Sequence, residues 1–111
     1  RMGGFIRSRG ENMSSYQVES VINSHPAINN CAVFPVEATM GGEEEIAVFI
    51  VLEIDTTLPE SELRAWMKSE MPNYMIPKHI RFVDSLPVTP TYKVEKYKLK
   101  KIISRELGLV N

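Results

Sequence analysis

Two segments of the sequence carry residue types whose spacing could do chemistry, and the later of them is Leu86–Leu99. Lys93 stands there after a stretch rich in proline and threonine and before a helical pattern, which places it on a loop. A lysine that a rigid small domain carries on a loop can reach into a partner's active site as a point charge. A loop lysine is more often a surface residue, and composition does not decide between these interpretations.

The earlier segment, Ile6–Ser15, places Gly10 among arginines, after a short strand pattern and before the start of a helix. Glycine allows the backbone to approach an extended ligand closely, and the guanidinium groups of Arg7 and Arg9 are suited to phosphate oxygens. A strand-to-helix turn that needs Gly10 only for its geometry explains the same residues. From this segment alone we favour the structural interpretation.

Other residues with chemical potential favour structural roles. His25 precedes a proline and His79 starts a strand pattern, and neither has a cysteine or carboxylate at metal-ligand spacing. Cys31 lies in a predicted strand and is interpreted as a small buried hydrophobic residue. The acidic run Glu43–Glu45 is typical of a solvated turn. We therefore expect no metal site in this chain.

Composition excludes several classes of protein. The chain has 111 residues, 43% of them hydrophobic, with a formal net charge of -1 and one cysteine. These values indicate one globular domain with no nucleic-acid partner, and the single cysteine indicates the reducing cytoplasm. The longest apolar run, Ile46–Leu52, is far shorter than the ~20 residues of a membrane span. The first residue is arginine rather than methionine, so we expect a fragment of a longer protein.

Charge is unevenly distributed along the chain. The region Glu37–Glu70 is acidic, whereas Lys93–Asn111 and the N-terminal residues are basic. If the two basic ends met in space they would form a local anion site on a neutral protein. For the lysines at 98–101 alone we favour a solvated helix face.

The first half of the chain predicts a helix between strands. Ser14 with Gln17 forms the pattern of a capping box, and His25-Pro26 ends the helix. Cys31–Val36 is a predicted strand. Ile46–Ile54 is the strongest strand pattern in the sequence, and its nearly unbroken apolar run predicts a central strand covered on both faces.

The second half predicts two more helices around a third strand, Ile80–Val83. Thr57 is the predicted N-cap of the second helix, with Pro59 in its first turn and Glu60 completing the capping pattern. Its apolar stripe comprises Leu63, Trp66, Met67 and Met71. The last helix is predicted from about Lys96 to Leu107, with a buried face of Leu99, Ile102, Ile103 and Leu107 and with Gly108 after its end.

These elements predict an α+β domain. A small three-stranded sheet packs with about three helices in one helix-bearing layer, and a short hairpin-like segment precedes them.

Taken together, five stretches of the sequence resemble the C-terminal domain of the acyl- and aryl-adenylate-forming enzymes. The stretches are IRSRGENMSS with the VES that follows, SHPAINNCAVFPV, GEEEIAVFIVL, NYMIPKHIRFVDSLPVTPT and KVEKYKL. That family includes acyl-CoA synthetases, luciferases and the adenylation domains of nonribosomal peptide synthetases. Within it, RGEN followed by Ser14-Ser15, and PVTPTYKVEKYKLK, look most similar to carnitine/crotonobetaine-type and related carboxylic acid–CoA ligases.

The resemblance implies that residues 1–111 are one mobile C-terminal domain whose partner is the protein's own large N-terminal domain. It implies a ligase that couples a small carboxylic acid to coenzyme A through an acyl-adenylate. ATP and Mg²⁺ are then bound mainly by the N-terminal domain, so the isolated chain is expected to be inactive. A ligase that loads a carrier-protein thiol, and a stand-alone nucleotide- or protein-binding module, are the alternatives.

The resemblance also assigns residues. Lys93 matches the lysine of the adenylation step, and Arg7, Arg9, Gly10 and Asn12 lie in the segment that faces coenzyme A. The family usually has glycine immediately before the lysine, where this chain has Tyr92. If that position requires a positive φ, a tyrosine there costs roughly 1–3 kcal/mol of strain.

Overall fold

The structure, a computed structural model, describes residues 5–8, 11–37 and 44–106. These residues form five strands and three α-helices, with one 3-10 helix at Asn73–Met75. Their bounds are β1 Phe5–Ser8, β2 Glu11–Ser14, α1 Ser15–Asn23, β3 Ile28–Glu37, β4 Glu44–Leu52, α2 Glu60–Glu70, β5 His79–Phe82 and α3 Lys96–Glu106. The predicted positions of Leu107 and Gly108 lie outside the described residues.

The hairpin-like segment and the first helix are confirmed. Strands β1 and β2 pair antiparallel, and β2 leads directly into α1. Ser14 caps this helix: its Oγ accepts from the backbone N of Tyr16 at 3.1 Å, and Gln17 Oε1 accepts from the N of Ser14 at 3.2 Å. The helix ends at Asn23, before the His25-Pro26 pair that disfavours helical geometry.

Strand β4 lies at the centre of a three-stranded mixed sheet with the order β3-β4-β5. It pairs antiparallel with β3 and parallel with β5. All residues of Ile46–Ile50 are buried, which confirms the prediction of a central strand covered on both faces. Strand β3 is an edge strand, and this position tolerates Pro35, which has no N–H to donate to a second neighbour.

Each face of the sheet carries its own hydrophobic cluster. One face packs against α1 and α2, the other against α3. The helical side chains that enter the clusters are Val18, Ile22, Leu63 and Met67 on the first face and Leu99 and Ile103 on the second. The α+β class is confirmed, but the prediction of one helix-bearing layer is wrong, because the apolar residues of β4 alternate between two faces and both must be covered.

Helix α2 begins at Glu60 with Pro59 as its N-cap, so the prediction of Thr57 as the N-cap is wrong. Leu58 precedes a proline and is thereby driven out of the helical region, which prevents the helix from extending back to a cap at Thr57. The first turn carries Glu60 and Glu62, whose carboxylates meet the positive end of the helix dipole.

The buried face of α3 is rotated relative to the predicted one. Leu99 and Ile103, four residues apart on one face, are 2% and 0% exposed, whereas Ile102 is 47% exposed. The prediction of Ile102 as a core residue is therefore wrong. Ser104 is buried instead, because the face that meets the sheet is centred on the side of residues 99, 103 and 104. Like the other helices of the described residues, α3 is too short and too polar to span a membrane.

Glu45 joins the two parallel strands at their start. Its Oε2 accepts from Lys78 Nζ at 2.9 Å, and its Oε1 lies 2.8 Å from His79 Nε2. Burial opposes ionisation of Glu45, but the hydrogen bonds from Lys78 and His79 outweigh burial and hold the pKa of this carboxyl below its ordinary value of 4.5. His79 therefore has the structural role that the sequence predicts.

The Glu45→Gln variant is expected to unfold about 1 kcal/mol more easily than the wild type at neutral pH. Because the pKa of Glu45 is lowered in the folded state, its contribution is complete above the unfolded value of 4.5 and is lost as the pH falls through the folded value. Urea denaturation over a series of pH values measures this difference. Asp84→Asn, which changes an exposed carboxylate, is the control and should unfold within about 0.5 kcal/mol of the wild type at neutral pH.

Candidate functional site

A tight turn between Val88 and Val94 presents Lys93. These two valines form an antiparallel bridge, and the N of Thr89 donates to the O of Lys93 at 2.9 Å. The N of Tyr92 donates back to the O of Thr89 at 2.8 Å. This is the pattern of a three-residue hairpin loop, in which a turn is followed by a residue of left-handed conformation.

The Thr89 hydroxyl fixes the turn a second time. Its Oγ1 accepts from the backbone N of Lys93 at 3.1 Å and lies 3.1 Å from Thr91 Oγ1. Both backbone polar groups of Lys93 therefore bond to Thr89, while the Lys93 side chain is exposed. The result is an exposed ammonium group on a backbone position that hydrogen bonds fix.

The base of the turn is anchored in the domain. The N of Glu95 donates to the O of Pro87 at 2.8 Å. Leu86 and Val94 pack against the hydrophobic cluster on the α3 side of the sheet. The turn therefore moves with the domain as one body, and α3 begins only three residues after Lys93.

Tyr92 adopts the left-handed conformation that the turn requires, with a φ of 65°. A residue with a Cβ pays about 1–2 kcal/mol for this conformation, and glycine pays almost nothing. The sequence predicts strain at Tyr92 if this position requires a positive φ, and the structure shows that it does. The ring itself is 85% exposed, so contacts within the domain hardly offset the cost.

The Tyr92→Gly variant is expected to raise the free energy of unfolding by about 1 kcal/mol, because it removes the left-handed strain and loses little packing. The larger entropy of an unfolded glycine reduces the gain. Urea denaturation of the 111-residue domain, followed by fluorescence of its single tryptophan, measures the change. Tyr92→Ala is the matched control, since alanine removes the ring and keeps the Cβ. Equal stabilities of the glycine and alanine variants would contradict the strain at this position.

A groove of about 470 Å³ lies beside the turn, along the free edge of β3. It is formed by one face of α1, the start of β3 and the segment that leads into α3. The lining residues are Ser15, Tyr16, Glu19, Asn23, Asn30, Cys31, Lys93, Val94 and Lys96. Most of them are polar residue types, but the surface that they present to the groove is of mixed polar and apolar character.

Glu19 connects the three elements that form this groove. Its Oε2 accepts from the backbone N of Val33 at 2.7 Å and lies 2.8 Å from Lys96 Nζ. The N–H of Val33 points away from β4 at the free edge of the sheet, so Glu19 supplies the partner that a further strand would otherwise provide. Through Lys96, its first residue, α3 is thereby tied to α1. The sequence gives no local signal for this contact, because the three residues are far apart along the chain.

Cys31 is buried, as the sequence predicts, and is 4% exposed. Burial raises the pKa of its thiol to about 12; Glu19 raises it further and Lys96 partly opposes the shift. At neutral pH the thiolate is therefore essentially absent, and Cys31 is a core residue rather than a nucleophile.

Two of the four predicted coenzyme-facing residues fall on the N-terminal hairpin. Arg7 of β1 lies opposite Asn12 of β2 in the antiparallel register. Gly10 and Arg9 lie outside the described residues. The structure therefore places Arg7 and Asn12 on neighbouring strands of the hairpin and Lys93 on a separate turn.

The meeting of the two basic ends stays a prediction, because Arg1 and Arg9 lie outside the described residues. Lys96 Nζ lies 3.5 Å from Ser15 Oγ, where the hairpin passes into α1, but its charge is paired with Glu19. Lys98 is paired with Glu95 at 3.0 Å. Lys93, by contrast, is exposed on its turn. His25 is structural: its ring packs edge-on against Trp66, with ring centroids 4.9 Å apart.

Comparison with known proteins shows matches over nearly the whole chain. Residues 17–93 match the family described as the AMP-binding enzyme C-terminal domain. A peroxisomal trans-cinnamate:CoA ligase of Petunia hybrida is 35% identical over 102 residues, which are 92% of this chain and 18% of the relative. A 2-methylpropanoate–CoA ligase of Humulus lupulus is 40% identical over 104 residues, 93% of this chain and 18% of the relative.

A solved structure shares the fold. An anthranilate CoA ligase in complex with anthranoyl-AMP superimposes with a TM-score of 0.84 and 27% identity, covering 98% of this chain and 22% of that one. The chain thus spans 18% of each curated relative and 22% of the solved chain.

Proposed function

The chain belongs to the family of AMP-binding enzyme C-terminal domains, and on this premise we propose that residues 1–111 are the mobile domain of an ATP-dependent carboxylic acid–CoA ligase. The observation that carries the proposal is the match that runs from α1 to Lys93 and ends on the turn that exposes this lysine. A large N-terminal domain of the same protein is the proposed partner, since the curated relatives are more than five times as long as the matched region.

The proposed reaction has two steps. In the first, an oxygen of the carboxylate attacks the α-phosphate of ATP, pyrophosphate leaves, and an acyl-adenylate forms. In the second, the thiol of coenzyme A attacks the acyl carbon, the bond to AMP breaks, and a thioester forms. The protein's own residues must therefore first bring two anions together and later admit a thiol.

Lys93 suits the first step. The attacking carboxylate and the phosphates repel each other, and negative charge grows around the α-phosphate as the new bond forms. An ammonium group held near those oxygens offsets this repulsion where the charge develops. The turn anchored by Thr89 supports this role, because it fixes the lysine backbone and leaves the side chain free to reach the oxygens.

The N-terminal hairpin is the proposed element for the second step. Arg7, Arg9 and Asn12 are candidates for contacts with coenzyme A, and Gly10 is the candidate for the close approach of the thiol arm. A residue with no side chain at that position leaves room for an extended ligand beside the backbone. When Mg²⁺ is bound, it neutralises part of the charge on the phosphates. We assign its binding mainly to the N-terminal domain.

The substrate acid and the compartment are narrower proposals. The motifs RGEN and PVTPT favour a carnitine/crotonobetaine-type ligase, whereas the two curated relatives are named for trans-cinnamate and 2-methylpropanoate. A panel of acids must therefore include carnitine-like, aromatic and short branched members. The cytoplasm is the proposed location, and the peroxisomal location belongs to the petunia relative.

Acyl-adenylate trapping tests the proposal. The full-length protein is incubated with ATP, Mg²⁺ and each acid, and hydroxylamine converts the adenylate to a hydroxamate. We expect ATP-dependent hydroxamate with at least one acid, and the corresponding thioester when coenzyme A replaces hydroxylamine. Thioester on a phosphopantetheinylated carrier protein, with none on coenzyme A, would instead support the carrier-loading alternative. Hydroxamate formation by the isolated 111-residue chain would contradict the assignment of the ATP site to the N-terminal domain.

A further inference from the structure

Tyr92 combines a strained backbone with an almost uncovered side chain. Its φ is 65°, and its side chain belongs to the most exposed large apolar groups of the described residues, at 85%. Residues held in such conformations concentrate at functional sites, where the surrounding structure maintains the strain. Here the hydrogen bonds of the turn maintain it, because the N of Tyr92 donates to Thr89 O and its neighbour Lys93 bonds to Thr89 through both backbone groups.

The place of Tyr92 determines what its ring can meet. It directly precedes Lys93, so the two Cα atoms are about 3.8 Å apart. Because the turn is anchored in the domain through Leu86 and Val94, Tyr92 and Lys93 are presented together as one rigid tip. A surface that receives the Lys93 side chain in the adenylation step therefore lies within reach of the Tyr92 ring.

The proposed function requires two orientations of the mobile domain, one that presents Lys93 for adenylate formation and one that presents the N-terminal hairpin to coenzyme A. Only interactions that differ between these orientations change the balance between them. The backbone strain of Tyr92 is set by the turn and is present in every orientation, so it does not favour one of them. The ring, in contrast, passes from water to a protein surface when the tip docks. An aromatic ring with a polar hydroxyl gains from such partial burial without requiring a fully apolar pocket.

We propose that Tyr92 is a positioning residue whose ring packs against the large N-terminal domain, beside the site that Lys93 enters, and stabilises the orientation for adenylate formation. This inference rests on the proposed function. It assigns to Tyr92 no contact with the reacting atoms. It predicts an effect on adenylate formation and none on the thioester step, for which the tip has moved away.

Three variants of the full-length protein separate the ring from the strain. Tyr92→Ala removes the ring and keeps the strained Cβ, Tyr92→Gly removes both, and Tyr92→Phe keeps both and loses only the hydroxyl. The rate of hydroxamate formation gives the kcat and the KM for ATP of the first step. Release of AMP from a supplied acyl-adenylate by coenzyme A gives the rate of the second step.

Tyr92→Ala and Tyr92→Gly are each expected to lower the kcat of adenylate formation about tenfold. This is the change in a docking equilibrium that the partial burial of an aromatic ring produces. The KM for ATP and the second step should stay as in the wild type, and Tyr92→Phe should recover most of the lost rate. The glycine variant is the sharpest test, because its domain is expected to be more stable than the wild type. A slower reaction in that variant cannot arise from unfolding.

Adenylate formation at the wild-type rate in both the alanine and the glycine variants would overturn the inference. So would an equal loss in both steps, or a raised KM for ATP with an unchanged kcat, since the last result would mean that the ring contacts the nucleotide. Lys93→Ala in the same assay separates the two proposals. If Lys93→Ala is slow and Tyr92→Ala is fast, only the inference on Tyr92 fails; if both are fast, the proposed role of Lys93 fails as well.

Discussion

Replacing Lys93 by alanine in the full-length protein is expected to slow adenylate formation about 10²–10³-fold, the usual effect of removing one preorganised group that stabilises developing charge. The ammonium group is held on a turn whose backbone is fixed twice by Thr89, so little reorganisation is needed when charge develops. The methyl group of alanine carries no charge. Among the described residues of the same turn, no other cation can replace the lost ammonium group.

The stability of Lys93→Ala and the reaction rate of Lys93→Arg are the controls for this prediction. Lys93 is exposed, so its truncation should leave the unfolding free energy within about 0.5 kcal/mol of the wild type. Lys93→Arg keeps the charge but changes the shape of the cation, and an intermediate rate is expected. A wild-type rate of hydroxamate formation in Lys93→Ala would show that the lysine on this turn does not serve the first step.

Replacing Glu19 by alanine is expected to lower the unfolding free energy of the domain by about 2–3 kcal/mol. The change leaves the N–H of the fully buried Val33 without the acceptor it has at 2.7 Å, and it leaves Lys96 without its partner at 2.8 Å. The unsatisfied N–H makes the larger contribution, because the Lys96 side chain is 33% exposed and water screens its charge. Urea denaturation followed by Trp66 fluorescence measures the loss.

Two variants divide the contribution of Glu19. Glu19→Gln keeps an oxygen for Val33 and removes the charge, so it should cost about 1 kcal/mol or less. Lys96→Met removes the cation and keeps the long apolar stem, and its cost should be similarly small. Equal stabilities of the alanine and glutamine variants would show that the bond to Val33 contributes nothing.

Local sequence signals predicted the elements of this fold well. The capping box joins Ser14 and Gln17, which are only three residues apart. The apolar run of β4 predicts burial of both faces of the strand, whichever elements cover them. The error at Thr57 is local, because the proline after Leu58 already prevents a helix from starting there. The error at Ile102 depends on tertiary packing. Ile102 fits the helical period of a buried face, but the sheet meets α3 on the side of Ile103.

The candidate site was predictable only in part. The turn chemistry around Lys93 follows from Pro90 and the threonines, and the positive φ of Tyr92 follows from the length of the loop. The contacts of Glu19 join residues 14 and 77 positions away along the chain. No periodicity or spacing rule signals such pairs, because they depend on how α1 and α3 meet the edge of β3.

The central claim is that this domain contributes Lys93 to adenylate formation and another surface to thioester formation. The most direct test measures both half-reactions in full-length Lys93→Ala, with hydroxamate trapping for the first and a supplied acyl-adenylate with coenzyme A for the second. We expect a loss of about 10²-fold or more in the first step and a change of less than about threefold in the second. Equal losses in the two steps, or no loss in either, would contradict the claim.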